Sequence, residues 1–170
     1  AGQGTVGLEI AAQAAAKQAK IDAIICCCGG GGLIAGISIV ASDQIPGVQI
    51  WSAEPEFYDD TLRSLISGKI ETADINQPSI CDAIVTPKPG KLTFPINKQL
   101  LSGGAVVTDH DVLQAIATAF KHLKIVVEPG GAAALAAVLT GQHPKGSSTV
   151  VAVASGGNID SQVFRRALDE

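Results

Sequence analysis

Apolar residues fall in short runs set between stretches of helix-forming or small residues, and the alternation is regular along the chain. IDAIICCC (21–28) is continuously apolar, as expected of a strand covered on both faces. Ala-rich helix formers precede it over residues 4–19, and LIAGISIVAS (33–42) follows as a buried helix. GVQIWSAEP (47–55) predicts a second strand ended by Pro55, and FYDDTLRSLISG (57–68) a helix closed by Gly68. The pattern weakens over 71–91, where Pro78, Pro87 and Pro89 mark a loop with a short strand at AIVT (83–86). Residues 95–102 predict a helix ended by Gly103, and GAVVTD (104–109) a strand. DVLQAIATAFKHL then predicts a helix with Thr108 or Asp109 as its N-cap. KIVVEP reads as an apolar strand before the small-residue helix GGAAALAAVLTG. TVVAVASGG (149–157) is the last strand, and IDSQVFRRAL closes the chain as a helix. Strands separated by helices argue for βαβ units, hence an α/β fold with a mostly parallel twisted sheet and flanking helices.

Composition narrows the class. Of 170 residues, 46% are hydrophobic and 16% charged, which suits one globular domain. No apolar run is long enough to span a bilayer. The net charge of -4, with no basic cluster larger than Arg165-Arg166, argues against nucleic acid and anionic membrane as partners. Cys26, Cys27, Cys28 and Cys81 have no CxxC spacing, and neighbours in a strand point to opposite faces. They read as buried reduced thiols, which places the protein in the cytoplasm. The sequence contains no Met, and AGQGTVGLE already reads as a helix entry. The expectation is a partial domain over 1–170, the later part of a longer one.

Four consecutive glycines between strand 21–28 and helix 33–42 demand a reason, because glycine is costly to order. Backbone amides at a helix N-terminus bind anions, and glycines let the chain wrap closely around a phosphate. A Walker loop needs Lys and then Ser or Thr after its last glycine, whereas Leu33 and Ile34 stand here. A monophosphate held by amides alone fits better than a triphosphate with magnesium. GQGTVG (2–7) matches GxGxxG, but no strand precedes it and no acidic residue ends the next strand, so a dinucleotide site is disfavoured.

In a parallel sheet, ASGGN (154–158) would lie at the same carboxyl edge as Gly29. Ser155 could donate to a ring nitrogen there or cap the last helix. Glu128, in EPGGAAALAA, could face the same crevice or cap its helix. EPEFYDD (54–60) clusters Glu54, Glu56, Asp59 and Asp60, which suits either a hard cation or the first turn of an ordinary helix. His110, His122 and His143 lack metal or triad spacing and read as surface or capping residues.

Taken in order, AGQGT (1–5), GGGGL (29–33), SAEP (52–55), FPI near 95, EPGGAAALAA (128–137) and SGGN (155–158) resemble one family over nearly the whole chain. That family is the threonine/serine dehydratases among the fold type II pyridoxal-phosphate enzymes, and the resemblance is to their C-terminal half. It implies the large-domain part of the tryptophan-synthase-β-like fold. It also implies that Gly29, Gly30, Gly31, Gly32 and the Leu33 amide cradle the cofactor phosphate. Ser155 would bond the pyridine nitrogen, and Glu128 would sit near the ring. Glu54, the Tyr58 carbonyl and Asp60 match a divalent or monovalent cation site of serine racemase and its dehydratase relatives.

The implied reaction is β-elimination from L-threonine or L-serine to a 2-oxo acid and ammonia. Serine racemase, a hydroxyaspartate or phenylserine dehydratase, and a non-catalytic anion-binding fragment are the alternatives. The family's SxKxRGA-like lysine segment and SxxNHxQ-like substrate loop do not occur, and Lys88 and Lys91 lie in a proline-rich loop. No catalytic residue is therefore expected in this chain, and its partner would be the missing N-terminal half. Apolar surface left uncovered would favour a homo-oligomer. Asp82 matches the family's ADG, but Ala83 replaces its glycine, which bears on substrate choice.

Overall fold

A computed structural model describes residues 2–169. The chain runs α1 (Gly4–Ala16), β1 (Ala23–Cys27), α2 (Gly32–Gln44), β2 (Gln49–Pro55), α3 (Asp60–Ser67) and α4 (Thr93–Leu100). It continues through β3 (Gly103–Val107), α5 (Asp109–Thr118), α6 (Pro129–Leu139), β4 (Val150–Val153) and α7 (Ser161–Asp169). The sheet has four strands in the order β3-β2-β1-β4, and every pairing is parallel. β1 is buried along its whole length, with α2 and α6 both packed on it. That burial on both faces is why its sequence is a solid apolar run rather than an alternating one. Among the described residues, no helix is long and apolar enough to cross a membrane.

The order of strands positions the site. From β1 the chain proceeds to β2 and β3 on one side, while β4 pairs on the other. Neighbouring connections therefore diverge between β1 and β4, and a crevice opens outside the carboxyl ends of those two strands. The glycine run leaves β1 at this point, and residues 154–160 leave β4 beside it. Pro129 stands at the first turn of α6, where its missing N–H costs nothing. Gly131 brings that helix close to the post-β4 loop, since a Cβ there would lie 2.8 Å from the Gly156 backbone.

Several boundaries differ from the sequence expectation. AIVT is not a strand: Asp82–Ile84 is a single 3₁₀ turn, in which Ile84 N donates to Cys81 O at 2.9 Å and Thr86 N to Ile84 O at 3.0 Å, so these amides are spent locally rather than on a ladder. Gly103 does not stop α4 but opens β3, where the Trp51 indole lies against it and a Cβ would come within 3.0 Å of the ring. KIVVEP joins no sheet; α5 passes into a π-turn at Ala119–Leu123, and Glu128 N donates to Gly156 O at 2.9 Å. GQGTVG is a packing motif: a Cβ on Gly7 would lie 2.9 Å from Val40 Cβ, so glycine lets α1 and α2 approach closely. Thr108 rather than Asp109 caps α5, in a reciprocal box with Asp111.

Candidate functional site

A crevice of about 480 Å³ opens at the divergence of β1 and β4. Gly29, Gly30, Gly31, Gly32 and Leu33 form one wall, and Cys27, Ala154 and Ser155 form another. Ala83, Ile84, Glu128 and Gln3 also line it. The glycine run thus meets Ser155 and Glu128 across 95 residues or more of sequence, as the parallel-sheet argument expects.

The loop is shaped for an anion. Gly31 is the N-cap of α2, at φ +83°, and carries no side chain to satisfy the helix amides. The amides of Gly29, Gly30, Gly31, Gly32 and Leu33 have no acceptor among the described residues. A Cβ on Gly30 or Gly32 would meet nothing within 4 Å, so these positions border open space. Their carbonyls are tied down from behind: Thr93 Oγ1 donates to Gly30 O at 2.5 Å, Gly90 N to the same oxygen at 3.2 Å, and Asn97 Nδ2 to Gly31 O at 3.4 Å. Orphaned donors, a helix dipole and a Cβ-free wall fit a phosphate group.

Ser155 and Glu128 resolve their two readings differently. Ser155 does not cap α7; Asp160 does, accepting from Gln162 N at 2.7 Å. The Ser155 hydroxyl lies 3.1 Å from Cys27 Sγ. Glu128 occupies the N-cap position of α6 without a side-chain cap bond, and its carboxylate instead accepts from Asn158 N at 2.9 Å in the crevice wall. A Cβ on Gly156 would meet that carboxylate, so a side chain there would displace the end of Glu128.

The acidic cluster is built around the start of α3. Glu54 is fully buried at the end of β2, and its two oxygens accept from Thr61 N and Leu62 N at 2.8 Å each. Burial pushes its carboxyl up to about 8, against those two bonds. Asp60 is buried with Oδ2 unpartnered, and burial pushes it up to about 6. Tyr58 is buried and donates its hydroxyl to Gln77 O at 2.9 Å. Asp59 pairs with Arg63 at 2.9 Å, and Glu56 is exposed. Among the described residues, no three His, Cys, Asp or Glu side chains form a metal cluster. His122 is exposed, and His143 Nδ1 lies 3.2 Å from Pro144 O.

Thr93, Asn97 and Cys27 are site residues that sequence reasoning did not single out. The first two act on the glycine loop from a helix more than sixty residues away, and only the fold brings them there. Cys27 looked like any buried thiol, and all four cysteines are indeed free and buried.

Residues 1–156 match the family described as pyridoxal-phosphate dependent enzyme. The chain belongs to this family. Its relatives include a serine racemase of Dictyostelium discoideum, 38% identical over 99% of this chain and 52% of that protein. An L-threonine ammonia-lyase of Thermotoga maritima is 32% identical over 100% of this chain and 41% of its own length. Among solved structures, a threonine deaminase from T.th. superposes with a TM-score of 0.87 at 37% identity, covering 94% of this chain and 56% of that one. The chain therefore spans about half the length of the relatives it matches. The α/β architecture with its parallel sheet is that of the family, and the family's cofactor is pyridoxal phosphate.

Proposed function

We propose that the chain holds the cofactor of an enzyme that eliminates the β-hydroxyl of L-threonine or L-serine, releasing a 2-oxo acid and ammonia. The observation that carries this reading is the crevice, where partnerless amides at a helix N-terminus share one cavity with a serine hydroxyl. The Gly29, Gly30, Gly31, Gly32 and Leu33 amides would hold the cofactor phosphate, with the α2 dipole favouring its charge. Ser155 would donate to the ring nitrogen, and Glu128, anchored on Asn158 N, would stand near the ring. When bound, pyridoxal phosphate supplies an electron sink for a carbanion at the substrate Cα. A serine hydroxyl shares its proton without surrendering it, so Ser155 leaves the ring nitrogen uncharged, where a carboxylate would keep it protonated. That tempers the sink and favours prompt departure of a β-hydroxyl. Ala83 and Ile84 also line the crevice. Among the described residues no lysine lines it, and on this reading the amine that anchors the cofactor would be supplied by another segment. A cation would sit at Asp60 Oδ2, Glu54 and the Tyr58 carbonyl, where a buried acceptor lacks a partner.

Serine racemase is the second reading, supported by the Dictyostelium relative and by that buried Asp60 oxygen. Titration with pyridoxal phosphate, followed by absorbance and by intact mass after borohydride reduction, tests the cofactor site. Saturable uptake is expected, and Gly32→Asp abolishes it, because the new carboxylate faces open space at a helix N-terminus and repels phosphate. Uptake equal in wild type and Gly32→Asp refutes the site. With the lysine-bearing partner supplied, threonine yields 2-oxobutanoate; release of D-serine from L-serine without a 2-oxo acid moves the assignment to racemase. The 170-residue chain alone is expected to produce neither.

A further inference from the structure

Cys27 is the last residue of β1, and its side chain is the sulfur that reaches the crevice; Cys26, Cys28 and Cys81 are sealed in the core. Its Sγ lies 3.1 Å from Ser155 Oγ, so the two side chains meet directly in the crevice wall. Cys26 does not line the crevice, and its thiol donates to the Cys27 carbonyl at 3.4 Å. Cys28 on the other side meets Thr61 Oγ1 at 3.3 Å. The strand alternation that separates three adjacent cysteines therefore delivers one of them to Ser155.

We propose that Cys27 is a positioning residue for Ser155, its thiol donating to Ser155 Oγ and so leaving the serine proton free for an acceptor in the crevice. Under the reading above, on which this inference rests, that acceptor is the cofactor ring nitrogen. The direction of the bond follows from chemistry. A thiol is a weak donor and a weak acceptor, so a serine O–H offered a ring nitrogen turns to it, and the S–H is left to donate to Ser155 Oγ. A thiolate is a strong acceptor and would capture the serine proton, turning the donor away from the crevice. The switch between the two states is set by the groups facing Cys27. Cys26 and the Ser155 hydroxyl hold its thiol down to about 7, while burial and the Glu128 carboxylate act against them. Cys81 also faces it, its own thiol pushed up to about 12 by burial. Cys28, pushed up by burial and Glu54, stays a neutral thiol.

Two measurements on the full chain test this separately from the cofactor assignment. In cofactor-free protein, the rate of Cys27 alkylation by iodoacetamide is followed against pH, with Cys27→Ser as the blank for other thiols. Ser155→Ala removes the donor that stabilises the thiolate, so the profile moves up by about one pH unit and the rate near pH 7 falls about fivefold. An unchanged profile overturns the inference. In cofactor-loaded protein, dissociation constants are read by absorbance across pH. Cys27→Ala weakens binding about threefold to tenfold; Cys27→Ser, which donates to Ser155 but does not titrate near pH 7, restores it and removes the wild-type weakening through pH 7. Wild-type behaviour in Cys27→Ala, or an unaltered pH profile in Cys27→Ser, also overturns it. If wild type takes up no cofactor, the reading under Proposed function falls with the orientation role, whereas the alkylation profile still decides the Cys27–Ser155 bond.

Discussion

Gly31 and Gly30 are neighbours whose replacement by alanine has opposite consequences. Gly31 sits at φ +83°, and an alanine there costs about 1–2 kcal/mol for the left-handed backbone alone. Its Cβ would stand 2.5 Å from Asn97 Nδ2 and 3.1 Å from Thr93 Oγ1. Asn97 is fully buried and donates to Gly31 O, so pushing it aside strands a buried amide at about 1–3 kcal/mol. The sum centres on about 3.5 kcal/mol, or a fall of about 7–14 °C in Tm for a chain of this size. Gly30 has no left-handed φ and nothing within 4 Å of its Cβ position. Gly30→Ala is expected to stay within about 1 kcal/mol of wild type in stability. The methyl nevertheless stands on the wall of the crevice and weakens pyridoxal phosphate binding about tenfold. Urea and thermal denaturation without cofactor read the first effect, and cofactor titration the second. Equal denaturation midpoints for the two variants would show that the loop is not pinned by its handedness and by α4.

Three further outcomes follow from the contacts around the site. Glu54→Gln puts an NH2 donor against one of the two α3 amides and leaves that buried amide without an acceptor, so it should destabilise by about 1–3 kcal/mol in urea denaturation, and a neutral result would show that the cap is dispensable. Magnesium at a hundredfold excess over its dissociation constant should add about 2.7 kcal/mol of stability to wild type and none to Asp60→Asn. A rise of equal size in both proteins would move the cation elsewhere. Thr108→Ala removes the capping box of α5 and should cost about 1 kcal/mol, seen as a fall of about 2–4 °C in Tm with cofactor affinity unchanged.

Much of this molecule is local and therefore readable along the chain. β1 is apolar throughout because helices pack on both of its faces, and that demand appears as an unbroken run. Gly68 ends α3 at φ +77°, and Pro129 opens α6, because such residues favour those backbone conformations. The glycine run announced a close approach, and the resemblance placed Ser155 and Glu128 beside it. The misreadings are also physical. Gly103 and Gly7 were punctuation or motif by sequence, yet each is a glycine because another side chain lies against it: Trp51 in one case, Val40 in the other.

Distance in sequence is what hid the rest. The identity of Asn97 carries no sign that it pins Gly31, and only the packing of α4 against the loop puts them together. Three consecutive cysteines look equivalent as letters. The pleat of β1 and the pairing of β4 beside it decide that Cys27 alone meets Ser155, because a strand sends neighbours to opposite faces and a parallel partner fixes which face the crevice occupies. The sequence by itself thus determined most of the elements, the sheet type and the glycine turn after β1, all of which depend on local backbone preference and burial. The tertiary structure decided which side chains converge on that turn, because convergence depends on strand order and register, which no local pattern encodes.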